Sequence, residues 1–108
     1  MYQGTRPIEI FCIDEDLTGT TVYLDIKTPT GAMISKTGDD LDIVVEDGVT
    51  SIAVMFTQEE TLALPEGVCQ VQARWIDQYG NASLSDPANI EVHGILNKRV
   101  ITYKEGDA

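Results

Sequence analysis

"VCQVQARWI", residues 68–76, decides the fold class of this chain. Cys69, Val71, Ala73 and Trp75 fall on one side of an extended backbone, and Gln70, Gln72 and Arg74 on the other. That strict alternation is the two-residue period of a β-strand with one buried and one wet face. Wound as a helix, the same apolar residues would be scattered around the cylinder and could bury together on no single face.

The period recurs on both sides of that stretch. In "TVYLDIK" (21–27), Val22, Leu24 and Ile26 oppose Tyr23, Asp25 and Lys27; in "PIEIFCI" (7–13), Ile8, Ile10 and Cys12 share one face and Phe11 and Ile13 the other. "LDIVV" (41–45) repeats the pattern with Leu41, Ile43 and Val45, "SIAVMFT" (51–57) with Ile52, Val54 and Phe56, and "NIEVH" (89–93) with Ile90 and Val92. Between these runs lie "DEDLTG", "TPTG", "KTGDD", "EDGVT", "LPEG" and "DQYGN", whose Gly, Pro, Asp and Asn suit turns. Strands with one wet face and a turn signal about every ten residues predict an all-β fold, an antiparallel β-sandwich of about seven strands. One short helix is expected in "TQEETLAL" (57–64), where Thr57 caps and Glu60 bonds back, and Pro65 and Gly67 stop it. Residues 1–93 are expected to form the sandwich and residues 94–108 a C-terminal strand or tail.

A chain of 108 residues, 43% of them hydrophobic, suits one globular domain with its own core. Its formal charge of −11 opposes binding to nucleic acid or an anionic membrane, since both need clustered Lys and Arg. No apolar run approaches the roughly 20 residues that span a bilayer, and "MYQGTRPIEIF" lacks the apolar segment of a signal peptide. The charge is uneven. Residues 1–97 hold Arg6, Lys27, Lys36 and Arg74 against sixteen acids, whereas residues 94–108 hold Lys98, Arg99 and Lys104 against Glu105 and Asp107.

Little in the chain suits catalysis. Cys12 and Cys69 both fall on strands, but Trp75 follows both, so the order of an immunoglobulin disulfide packed on an intervening Trp is not met; two buried free thiols are expected. With no Cys-x-x-Cys pair or Cys/His cluster, zinc is not expected. His93 is the one histidine, at a strand end and with no nucleophile elbow, and is expected on the surface. The acids of 14–16, 39–40 and 46–47 lie in turns, without the cleft geometry of a glycosidase pair or the spacing and glycine of a calcium loop. No phosphate-binding glycine loop is present. The expectation is a protein that is not an enzyme, with no catalytic, cofactor or metal residues.

Two segments carry a family resemblance. "DLTGTTVYLDIK" (16–27), followed by a Gly-containing turn, resembles the N-terminal domain of phage baseplate upper proteins and related immunoglobulin-like domains of phage tail and prophage structural proteins. In that family a Leu-Thr-Gly turn feeds an alternating strand. Later a strand ends in Thr-x-x-Glu-Thr, and a Leu-x-x-Gly turn leads into a strand opening with an aromatic. In "IAVMFTQEETLALPEGVCQVQARW" Thr57, Glu60 and Thr61 match the helix and Leu64 and Gly67 the turn; Cys69 departs from the usual Tyr or Phe. Together the motifs span roughly residues 3–93. The resemblance implies an immunoglobulin-like sandwich and a structural role in the virion of a phage or prophage, as a tail, baseplate or fibre-attachment module made in the host cytoplasm. Its partners would be other phage structural proteins, or further copies of itself. With the chain ending at Ala108 and no fused fibre, an accessory protein or an excised domain is expected.

The segment suited to such contacts is "GILNKRVITYKEGDA" (94–108), where Lys98, Arg99, Val100, Ile101 and Tyr103 set bases and apolar residues side by side. It could add a strand to a partner's sheet edge or form the sandwich's own last strand. The alternative function is a carbohydrate- or ligand-binding sandwich, which needs exposed aromatics for stacking; Tyr23 and Tyr79 are the two expected outside on a strand or turn.

Overall fold

A computed structural model describes residues 1–103. It contains strands β1 (Ile8–Ile13), β2 (Thr21–Lys27), β3 (Met33–Thr37), β4 (Leu41–Glu46) and β5 (Val49–Met55), then helix α1 (Gln58–Ala63), then β6 (Gly67–Ile76), β7 (Ala82–Leu84) and β8 (Ala88–Val92). A single 3-10 turn, Gly38–Asp40, links β3 to β4.

The strands form two antiparallel sheets packed face to face. One runs β1-β5-β4; the other runs β3-β2-β6, with β7 and β8 sharing the far edge of β6. β7 covers Arg74–Ile76 and β8 covers Gly67–Val71, so the last strand is laid down in two pieces. Ser85 stitches the break. Its N–H donates to the Ala73 carbonyl (2.9 Å), its hydroxyl accepts from the Ala73 N–H (3.0 Å), and its carbonyl accepts from the Gln72 side chain (2.7 Å).

This order is that of an immunoglobulin-like sandwich. β1, β5 and β4 take the places of strands B, E and D, and β3, β2, β6 and β7–β8 those of C′, C, F and G. Among the described residues no strand lies on the outer side of β1, where strand A would pair. Residues 1–3 instead run parallel to the end of β8. Tyr2 bridges His93 there, the Gln3 N–H donates to the His93 carbonyl (2.9 Å) and the His93 N–H to the Met1 carbonyl (2.8 Å).

The core is the inward set of the alternating strands: Val22, Leu24, Ile26, Ile52, Val54, Phe56, Cys69, Val71, Ala73, Trp75, Ile90 and Val92 are all buried, joined by Leu17 and Leu64. Two short strands, β3 and β7, carry no apolar alternation and were not expected as strands; β2 and β6 supply the partners that hold them in place. The edge strand β4 buries less than its pattern suggests, with Leu41 and Val45 half-buried and Ile43 exposed. On β1, Phe11 and Ile13 turn inward while Ile8, Ile10 and Cys12 turn to solvent. The expectation of two buried thiols is thereby corrected: both cysteines are free, but only Cys69 is buried. Cys12 Sγ lies on the outer face, 3.7 Å from the Ser51 hydroxyl.

The two short motifs set the crossings between sheets. Before β2, Leu17 drops into the core and its carbonyl accepts from both the Thr20 N–H (3.1 Å) and hydroxyl (2.7 Å), while Gly19 turns the chain at φ +80°. The buried Thr50 hydroxyl ties this turn to β5, accepting from the Leu17 N–H (3.0 Å) and donating to the Glu15 carbonyl (2.7 Å). After β5, the Thr57 hydroxyl accepts from the Glu60 N–H (3.1 Å) and the Glu60 carboxylate accepts from the Thr57 N–H (2.9 Å), the reciprocal box that starts α1. Thr57→Ala removes one half of that box, and urea titration is expected to show a loss of about 1 kcal/mol in unfolding free energy.

Candidate interaction surface

After β8 the chain enters neither sheet. The Ile95 Cδ1 lies 2.8 Å from where a Cβ on Gly4 would stand, so the segment begins pressed against the N-terminal turn. The Asn97 side chain then accepts from the Arg99 N–H (3.0 Å). At Ile101 the side chain of Gln58, the first residue of α1, acts as a substitute strand. Its amide nitrogen donates to the Ile101 carbonyl (2.9 Å) and its oxygen accepts from the Ile101 N–H (2.6 Å).

The apolar side chains gain little cover from this docking. Val100, Ile101 and Tyr103 are 48%, 75% and 89% exposed, and Lys98 and Arg99 are exposed beside them. Residues 94–103 form no strand, so the sandwich's own last strand is β8. Lys104 and the acids after it lie outside the described residues.

Several polar groups elsewhere bond within the fold. Lys36, on β3, is buried and pairs with Glu60, its ammonium 5.4 Å above the Phe56 ring. Burial pushes the Glu60 carboxyl up, but the bonds from Lys36 and from the Thr57 N–H outweigh it and hold the group below its usual range. A carboxylate with a lowered folded-state pKa stabilises the protein above its unfolded pKa and loses that contribution as pH falls through the folded value. Thermal unfolding of the protein and of Glu60→Gln is therefore expected to differ most near pH 7 and to converge below about pH 4, near the usual carboxylate range. A gap that stayed constant down to pH 3 would contradict the ion pair.

The acidic turns have a local occupation. The Asp16 carboxylate accepts from the Thr18 N–H (2.9 Å), and Asp77 from the Tyr79 and Asn81 N–H groups (2.9 Å each) and the Asn81 side chain (3.0 Å). The Thr18 hydroxyl and N–H beside Asp16, and the Asn81 side chain and turn amides around Asp77, hold both carboxyls below their ordinary value. Among the described residues no three His, Cys, Asp or Glu side chains converge as a metal site. His93 is exposed, its ring 5.0 Å from that of Tyr2.

A hollow of about 420 Å³ lies over Tyr23, Arg74 and Leu84 on the outer face of the larger sheet. Its aromatic face is taken: the Arg74 guanidinium sits 5.7 Å over the Tyr23 ring and bonds Asp25 at 2.5 Å. Tyr79 stands exposed at the tip of the Asp77–Asn81 turn, and no aromatic ring of the described residues stacks on it.

Sequence reasoning singled out the C-terminal segment, and the structure places Lys98, Arg99, Val100, Ile101 and Tyr103 together on one exposed arm. It missed Gln58, whose amide is generic in sequence, and Lys36, whose burial depends on an acid twenty-four positions away. No protein-family model matches the chain, and no curated protein matches it.

Proposed function

We propose that this chain is a non-enzymatic assembly module of a phage or prophage particle, acting through protein–protein contacts at the tail, baseplate or a fibre attachment. The observation that carries the reading is an extended arm, residues 98–103, presenting two bases and three uncovered apolar side chains on an otherwise acidic sandwich. Exposed apolar groups beside complementary charge are what a docking segment needs, because burial supplies affinity and charge supplies orientation. The paired motifs at Leu17–Gly19 and Thr57–Gly67, which resemble those of phage baseplate upper proteins, support the particle as the setting. The sequence also lacks a constellation of side chains suited to chemistry.

Mass spectrometry of particles purified from an induced lysogen tests this. The chain is expected in intact particles at a fixed ratio to the tail proteins, and its gene beside tape-measure or holin genes. Its exclusion from washed particles, or polysaccharide-utilisation genes as neighbours, would overturn the assignment. Clear retention on an immobilised glycan would favour the carbohydrate-binding alternative.

A further inference from the structure

The two sheets part between β1 and the β7–β8 edge. A cleft of about 260 Å³ opens there, floored by the core residues Leu24, Val71 and Ala73 and walled by Phe11 of β1 and Ala88 of β8. It continues into a second hollow of about 430 Å³, bordered by Asp14, Glu15 and Leu84; the two share Cys12, Ile13, Ser85 and Asp86. Together they make one groove along the outer edge of β1, apolar at its floor and acidic at one end.

Among the described residues β1 pairs with β5 alone, so alternate backbone N–H and C=O groups point from its other edge along the groove. This is the side on which an immunoglobulin-like sandwich carries one more strand. An open edge beside an apolar cleft is a template for an added strand.

The chain contains a segment with the matching chemistry. Lys98–Arg99 is its one pair of adjacent bases, and Val100-Ile101-Thr102-Tyr103 follows. As a strand, that segment puts Ile101 and Tyr103 on the same side. Residues 98–103 are six, the length of β1. Within one molecule the segment is held by Gln58 and lines no part of the groove.

We propose that residues 98–103 of a second copy of this chain add as a strand to the free edge of β1, with Ile101 and Tyr103 in the cleft and Arg99, on the same side, against Asp14, Glu15 and Asp86. The inference rests on the reading of the chain as an assembly module and names its first partner. The arm leaves Gln58 at little cost, because water replaces both exposed hydrogen bonds. Arm and groove are different surfaces, so the contact is head-to-tail and propagates into a ring or a chain of copies.

Sedimentation of the full chain over a range of concentrations tests it, with two variants at exposed positions. Ile101→Asp spoils the arm, and Glu15→Lys/Asp86→Lys reverses the charge of the groove. The wild type is expected to associate beyond the dimer, less so in high salt, and each variant to stay monomeric with an unchanged unfolding curve. An equimolar mixture of the two variants still offers one intact arm and one intact groove, and is expected to give a 1:1 dimer that grows no further. A wild type monomeric at every concentration would overturn the proposal. So would association that survives in Ile101→Asp, or a mixture that fails to pair. Its failure is separable from that of the assembly reading: a monomer found in washed particles sinks self-docking alone, and a self-associating chain missing from them sinks the particle setting alone.

Discussion

Phe56→Ala is expected to lower the free energy of unfolding by about 3–5 kcal/mol, read from urea denaturation with Trp75 fluorescence as the signal. Phe56 is the largest of the fully buried side chains and lies where β5 gives way to α1. Truncation removes the transfer energy of the ring and leaves a void that strands of both sheets cannot close. It also strips the ring from beneath the Lys36 ammonium, exposing a buried charge on one side. Domains of this size are stable by about 5–15 kcal/mol, so the substitution consumes a large share of the total. Phe56→Leu retains most of the apolar volume and is expected to cost less. Equal losses for the two variants would show that the aromatic shape, and not burial, holds this corner.

Thr50→Val comes next, with an expected loss of about 2 kcal/mol for a substitution that changes side-chain volume hardly at all. The Thr50 side chain is fully buried, and its hydroxyl serves two backbone groups of the turn before β2. A methyl in its place orphans the Leu17 N–H, whose bond is buried, whereas the bond to the Glu15 carbonyl is only part-buried. The larger part of the effect is therefore assigned to Leu17. Hydrogen exchange at that amide should accelerate in Thr50→Val well beyond the global change, while Thr50→Ser keeps both bonds and leaves exchange slow. Unchanged exchange at Leu17 would contradict the tie.

What the sequence made legible follows from how locally each feature is encoded. Alternation in "TVYLDIK", "SIAVMFT" and "VCQVQARWI" identified the three central strands and every one of their core residues, because a central strand needs only its own period to declare which face is inside. The helix boundary at Thr57 was equally readable, since a capping box is complete within four residues. Edges were harder. β3 and β7 are strands because β2 and β6 offer them hydrogen bonds, and no residue of "ISKT" or "ASL" announces it. β1 misled only at Cys12, expected buried: on the smaller sheet's edge Phe11 and Ile13 take the inside, and the face shared by Ile8, Ile10 and Cys12 turns to solvent. The arm's composition was visible, but its clasp by Gln58 joins residues 43 positions apart and left no trace in local pattern.

The parallel run of residues 1–3 along the end of β8 has a mechanical consequence. Suppose tension is applied between Met1 and the segment after His93. The pull then acts along the two adjoining strands in opposite directions, so the bonds Gln3 N–H to His93 and His93 N–H to Met1 are loaded in shear and must give way together. Had the same two strands paired antiparallel, the same pull would peel them apart one bond at a time. The arrangement stiffens the molecule along the line from Met1 to the segment after His93.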